Sequence, residues 1–165
     1  MEALMTSLRF WLESTALSSF VRDNGQWVWP ISESIHFIGL SMLIGTVGLF
    51  DLRMLGMARE LSLPGLHRLI KWGIAGYVLN ILTGILFFTA YPFQYMYNAA
   101  FWWKLAFMGC AGVNVLLFYT TVYHRIQVLE PGDDAPPAAK TMAAVSLVCW
   151  VGVMTCGRLL TFFRP

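Results

Sequence analysis

Four stretches of this chain carry no Asp, Glu, Lys or Arg: 34–50, 72–103, 105–123 and 141–157. A helix needs about 20 predominantly apolar residues to cross the hydrocarbon core of a bilayer. Each stretch therefore reads as a membrane span before it reads as anything else. The second is too long for one crossing and contains Tyr91-Pro92-Phe93. Proline drives the residue before it away from helical angles, so the second helix should end near Ala90. The spans predicted this way cover roughly 31–50, 70–90, 102–123 and 141–161.

Composition agrees. Of the 165 residues, 58% are hydrophobic and 12% are charged. Soluble domains carry about 25% charged residues, and a soluble surface of this size could not be covered with half that supply. A soluble globular domain and a disordered chain are both excluded. A net charge of +2 gives no basic field for nucleic acid. The aromatics mark the borders of the spans: Trp27 and Trp29, then Trp72, then Tyr91, Tyr95, Tyr97, Trp102 and Trp103. Trp and Tyr suit the interface because one end of the side chain is apolar and the other polar. Pro30 fits the first position of span one, where its missing N–H costs nothing.

Ahead of span one, Leu4, Leu8, Trp11, Leu12, Leu17 and Phe20 form an apolar stripe among polar residues. This predicts an amphipathic helix over about 3–21, too polar to span and suited to lie in the membrane interface. Asn24-Gly25 should break it. The fold class is thus an all-α membrane protein, a four-transmembrane-helix bundle with an N-terminal amphipathic interfacial helix, in a single domain over 1–165. An even number of spans puts both termini on one side. Lys and Arg divide six against five between the two sides, but the connection after span one is the densest, with Arg53, Arg59, Arg68 and Lys71. The positive-inside rule then places that connection in the cytoplasm and both termini outside.

Hydrophobicity alone does not pair helices in lipid; small residues allow close approach and polar ones bridge. Ser41, Gly45 and Gly48 are the small residues of span one, and Gly73, Gly76 and Gly84 those of span two. Span three offers Ala106, Cys110 and Asn114, and span four Gly152 and Gly157. Asn80 and Asn114 fall near mid-membrane by residue counting and are expected to pair, at about 0.6–2 kcal/mol. Cys110, Cys149 and Cys156 are odd in number, without a CxxC, so they read as packing residues rather than a disulfide framework or zinc site.

Ionisable groups inside a membrane are costly and point to function. Glu33 and His36 share a face of span one, while Lys104 opens span three and Arg158 lies toward the end of span four. All four fall toward one end of the bundle. Glu33 with Arg158 is the expected ion pair, with Lys104 as the alternative partner. The cluster reads as a structural clamp or as a proton or ligand site. Haem b is the other use of histidine. His67 and His124 flank spans two and three on the opposite side and could face each other as axial ligands, and His36 could pair with Met108 or Met154. Asp51 and Arg53 at the end of span one read as a solvated, anchoring charged pair, with partner docking as the sharper alternative. No GxSxG, HExxH, P-loop or GxGxxG occurs, and no catalytic nucleophile with a base is readable.

The segments WPISESIHFIGLSMLIGTVGLFDLRMLG (29–56), TGILFF (83–88), NAAFWWKLAFMGCAGVNVLLFY (98–119) and WVGVMTCGRLLTF (150–162) resemble an uncharacterised bacterial family of small four-helix membrane proteins. The resemblance covers nearly the whole chain. It implies a place in the bacterial inner membrane and directs attention to Glu33, His36, Asp51, Arg53, Lys104, Asn114 and Arg158. The family pattern often reads Phe-His where this chain has Phe118-Tyr119; were that histidine a cofactor ligand in the family, its absence would count against haem here. The functional readings are a non-catalytic subunit or scaffold packing against other membrane subunits or itself, a haem-b electron-transfer subunit, and a quinone or small-ligand site around Glu33, His36 and Arg158.

Overall fold

The computed structural model describes residues 2–163; Met1, Arg164 and Pro165 lie outside the described residues. The described residues form helices joined by short connections. Two short helices, α1 (Glu2–Glu13) and α2 (Ala16–Asp23), lead into α3 (Gly25–Met54) and α4 (Leu63–Ala90). A five-residue helix, α5 (Pro92–Met96), turns the chain into α6 (Ala99–Leu117). A π-helical turn over Phe118–Val122 carries α6 on into α7 (Tyr123–Ile126), and α8 (Pro137–Leu159) closes the bundle.

Four helical segments are long and apolar enough to cross a membrane: Gly25–Met54, Leu63–Ala90, Ala99–Ile126 and Pro137–Leu159. They fall on the four charge-free runs. The second ends at Ala90 as the proline rule requires, because Tyr91 leaves helical angles with φ −134° and ψ 61°. Local signals set the other ends. Ser62 caps α4 by accepting from the Gly65 N–H, and Asn98 caps α6 by accepting from Ala100 N–H.

Two expectations at the N-terminus are corrected. The amphipathic segment is two helices, because Ser14 and Thr15 interrupt it and Thr15 caps α2 through its hydroxyl. Pro30 lies inside α3, not at its first position, since the break shrinks to Asn24 and the helix restarts at Gly25. Ser18 and Val21 of α2 are buried, while Leu4, Leu8, Trp11, Leu17 and Phe20 stay exposed. The apolar stripe therefore faces outward, where a lipid interface would meet it.

The helices pack most closely as two antiparallel pairs, α3 with α4 and α6 with α8, joined by α3 against α8. Backbone sterics set the first pair. A β-carbon on Gly76 would strike the carbonyl oxygen of Gly39, and one on Gly39 would lie 2.8 Å from the carbonyl oxygen of Gly76. One turn away, a β-carbon on Gly73 would strike the Thr46 hydroxyl. The small-residue stripe of α3 is thus turned from its expected position. Gly39 is buried in the contact, while Ser41 and Gly45 are exposed. In α6 only Asn114 of the expected trio is buried; Ala106 and Cys110 are exposed, although the Cys110 thiol still meets Cys149 of α8. Gly152 of α8 admits the Phe107 ring, 2.8 Å from where a β-carbon would sit.

These contacts separate glycines that carry packing from those that do not. Gly76→Val should lower stability by roughly 1–3 kcal/mol, the usual cost of overpacking. Gly45→Ala, with no atom within 4 Å of its β-carbon, should leave stability unchanged or raise it by up to about 1 kcal/mol. Thermal unfolding in detergent reads both; equal effects would contradict the Gly39–Gly76 contact.

Candidate functional site

In hydrocarbon each polar group must find its partner within the protein. Most do so here on their own helix. Ser34, Ser41, Thr46, Thr83, Thr89 and Thr120 all donate to a carbonyl one turn back. The expected Asn80–Asn114 hydrogen bond is not made, because the two residues serve different helix pairs. Asn80 donates to the Gly76 carbonyl at 2.9 Å, inside the α3–α4 contact. Asn114 donates to the Met142 carbonyl at 3.0 Å and ties α6 to α8.

His36 is half-buried and differs from the other two histidines. Its Nδ1 lies 2.6 Å from Thr83 Oγ1. The Thr83 hydroxyl also lies 2.7 Å from the Leu79 carbonyl. With its hydrogen on that carbonyl it accepts from a ring protonated on Nδ1; with its hydrogen on Nδ1 the ring carries its own on Nε2. Nε2 has no hydrogen-bond partner among the described residues. The Phe87 ring stands 5.6 Å away, with Trp29 a further 4.8 Å from Phe87. Lys104 is the electrostatic neighbour of His36. It lies near Cys156 and Gly157 of α8 and forms no ion pair or hydrogen bond among the described residues.

The remaining members of the expected cluster stand apart. Glu33 is exposed and accepts from Trp29 Nε1 at 3.0 Å. The nearby Tyr95 hydroxyl of α5 is pushed up to about 12 by burial and then by the Glu33 charge. Arg158 is exposed and lies over the Phe162 ring at 5.4 Å. The Glu33–Arg158 ion pair does not form, because both side chains find partners on their own stretch of chain.

At the other end, His67 is fully used. Its Nε2 is 3.0 Å from the Tyr119 hydroxyl and its Nδ1 is 3.4 Å from that of Tyr123. The π-helical turn brings both tyrosines to it, and neither nitrogen is left for an iron. His124 is exposed on α7. Among the described residues no group of three His, Cys, Asp or Glu could hold a metal ion, and all three cysteines are free.

The same end holds two residues that sequence reading placed in solvent. Arg53 is 0% exposed and Asp51 is 6% exposed. Arg53 Nε donates to the Leu61 carbonyl at 2.9 Å, and its Nη2 reaches the Glu130 carbonyl at 3.5 Å. It thereby fastens the first connection to the third. Asp51 faces Ser146 of α8. Two charges two residues apart give no periodic signal of burial; the family resemblance, which directs attention to Asp51 and Arg53, was the available sign. Arg59 and Lys140 both pair with Asp134, at 3.3 and 2.6 Å, and Gly132 N–H donates to the Arg59 carbonyl. Beneath them Met54, Leu63, Ile126 and Ala139 form a closed apolar core.

Fold and side chains together define a small all-α membrane protein with four apolar crossings. The chain belongs to the family of unknown function DUF6644, whose model matches residues 9–163. Comparison with curated proteins and with solved structures found no match.

The hydrogen bond from Lys140 holds the Asp134 carboxyl below the usual carboxylate range. A depressed pKa in the folded state means that the contact stabilises above the ordinary value, about 3.9, and is lost as pH falls through the lowered one. An NMR titration of Asp134 should give a midpoint below that ordinary value. Lys140→Met should raise it; an unchanged midpoint would contradict the pairing.

Proposed function

We propose that the protein is a non-catalytic subunit or scaffold of a membrane complex, with α6 as its partner-facing helix. The observation that carries this reading is the exposure of α6. Only 17% of the apolar window in Ala99–Ile126, which α6 opens, is buried within the chain, against 22% for α3, 28% for α4 and 33% for α8. Its outward stripe runs through Trp102, Leu105, Gly109, Val113 and Leu116, all exposed. A β-carbon on Gly109 or Gly112 would meet nothing within 4 Å. Small residues between large apolar ones let a second helix approach closely, which lipid tails do not require.

In this reading the end carrying Arg53, Arg59, Arg68 and Lys71 faces the cytoplasm of a bacterial inner membrane, both termini lie outside, and α1 and α2 rest on the outer interface. The density of positive charge beside that end supports the orientation. A haem-b subunit is less well supported. Tyr119 and Tyr123 occupy both nitrogens of His67, and Met108 packs into the core around Trp150.

Site-specific photo-crosslinking in native membranes tests the scaffold. A benzoyl-phenylalanine at Val113 should yield a protein adduct, while one at the lipid-facing Val78 of α4 should not. Gly109→Leu should reduce the adduct several-fold. If Val113 and Val78 behave alike, α6 is an ordinary lipid-facing helix and the reading fails.

A further inference from the structure

A groove of about 350 Å³ between the start of α4 and the π-helical turn is lined by His67, Arg68, Ile70, Lys71, Ile74 and Tyr119. That volume lies within the range of small-ligand sites, about 300–1,000 Å³. The π-helical turn supplies Tyr119, whose hydroxyl is 3.0 Å from His67 Nε2. Arg68 and Lys71 are exposed, and neither forms an ion pair or hydrogen bond among the described residues. No Asp or Glu lines the groove. Elsewhere in the chain Arg9 is answered by Glu13, and Arg59 and Lys140 by Asp134. From Trp72 to Ala90 α4 carries no charge and rises about 28 Å, close to the ~30 Å of a hydrocarbon core. Arg68 and Lys71 therefore stand at head-group depth. On the same helix face Ile74, Val78, Leu82 and Ile85 follow Lys71 at helical spacing, all exposed.

We propose that this groove binds the phosphate head group of an anionic phospholipid, whose acyl chains lie along the exposed apolar face of α4. The Arg68 guanidinium offers a planar fork that matches two phosphate oxygens. The Lys71 ammonium, one turn further on, adds a second positive charge. A choline or ethanolamine head group carries a cation of its own, which these two side chains would repel. A head group without one, such as phosphoglycerol, is therefore favoured. A soluble phosphate shares the charge but leaves Ile74, Val78, Leu82 and Ile85 uncovered. A second copy of the chain related by a two-fold axis would cover that face, but it would set the same cations against each other. The inference concerns lipid binding alone. It rests neither on the scaffold reading nor on the orientation, since both leaflets carry head groups at this depth.

The test titrates the full chain in detergent with dioleoylphosphatidylglycerol or dioleoylphosphatidylcholine, and native mass spectrometry counts the bound lipid. One phosphatidylglycerol should bind per chain, about tenfold more tightly than phosphatidylcholine. Arg68→Gln and Lys71→Gln should each weaken it about fivefold, and together at least about tenfold, as expected for cations at a membrane surface. Both side chains are exposed, so helix content and melting temperature should stay at the wild-type values. Arg125 is an exposed arginine of the same end that does not line the groove. Arg125→Gln should therefore leave the affinity within about twofold of wild type. Glycerol phosphate, the head group without its tails, should fail to displace the lipid even in molar excess. Equal binding of the two lipids would overturn the proposal. So would an equal loss in Arg125→Gln, which would mark a diffuse surface attraction, or displacement by glycerol phosphate, which would mark a site for a soluble anion.

Discussion

The absence of water in the hydrocarbon core governs this structure. A hydroxyl or amide in a span cannot fall back on solvent, so each must be answered by a carbonyl or another side chain. Most are answered within one helical turn, which is cheap because the acceptor is already in place. That economy makes the exceptions informative. Asn114 spends its amide on another helix and joins α6 to α8. Thr83 is shared between its own helix and a histidine from α3. The imidazole then has its Nδ1 partnered by Thr83, while Nε2 has no hydrogen-bond partner among the described residues.

The two ends of the bundle resolve the same constraint differently. Around Arg53 the charges are drawn inward; Nε and Nη2 are met by loop carbonyls, while Arg53 Nη1 and Asp51 Oδ2 have no hydrogen-bond partner among the described residues, and an apolar core closes beneath them. A guanidinium suits the task because its several donors can serve two connections at once. Around His36 the α3–α4 contact brings Thr83 to the histidine, while α6 meets α4 through the Phe88–Phe101 stack.

The helices themselves were legible from charge alone, because an apolar run of span length has few other uses. Side-chain pairing was less so. Counting residues put Asn80 and Asn114 at similar depth, yet depth does not say which helices touch. Glu33 and Arg158 share an end of the bundle, but Trp29 and Phe162 are nearer in sequence and capture them. Asp51 and Arg53 looked like solvated helix-end charges because burial of a charge depends on connections that fold over it from elsewhere. His36 and Lys104 were legible as an intramembrane pair of interest. The contact of His36 with Thr83 was not, since Thr83 is a residue of no special note in the sequence.

The central contact is that of Thr83 with His36 Nδ1 across α3 and α4, and a Thr83 hydroxyl that keeps its hydrogen on the Leu79 carbonyl leaves the ring protonated on Nδ1. Nitrogen-15 NMR of the ring tests this directly in the variant His67→Gln/His124→Gln, where His36 is the one histidine left. The account predicts a protonated Nδ1 and an unprotonated Nε2, with Thr83→Val shifting the balance toward the other tautomer. A ring protonated on Nε2 in the presence of Thr83, or one unaffected by Thr83→Val, would contradict it.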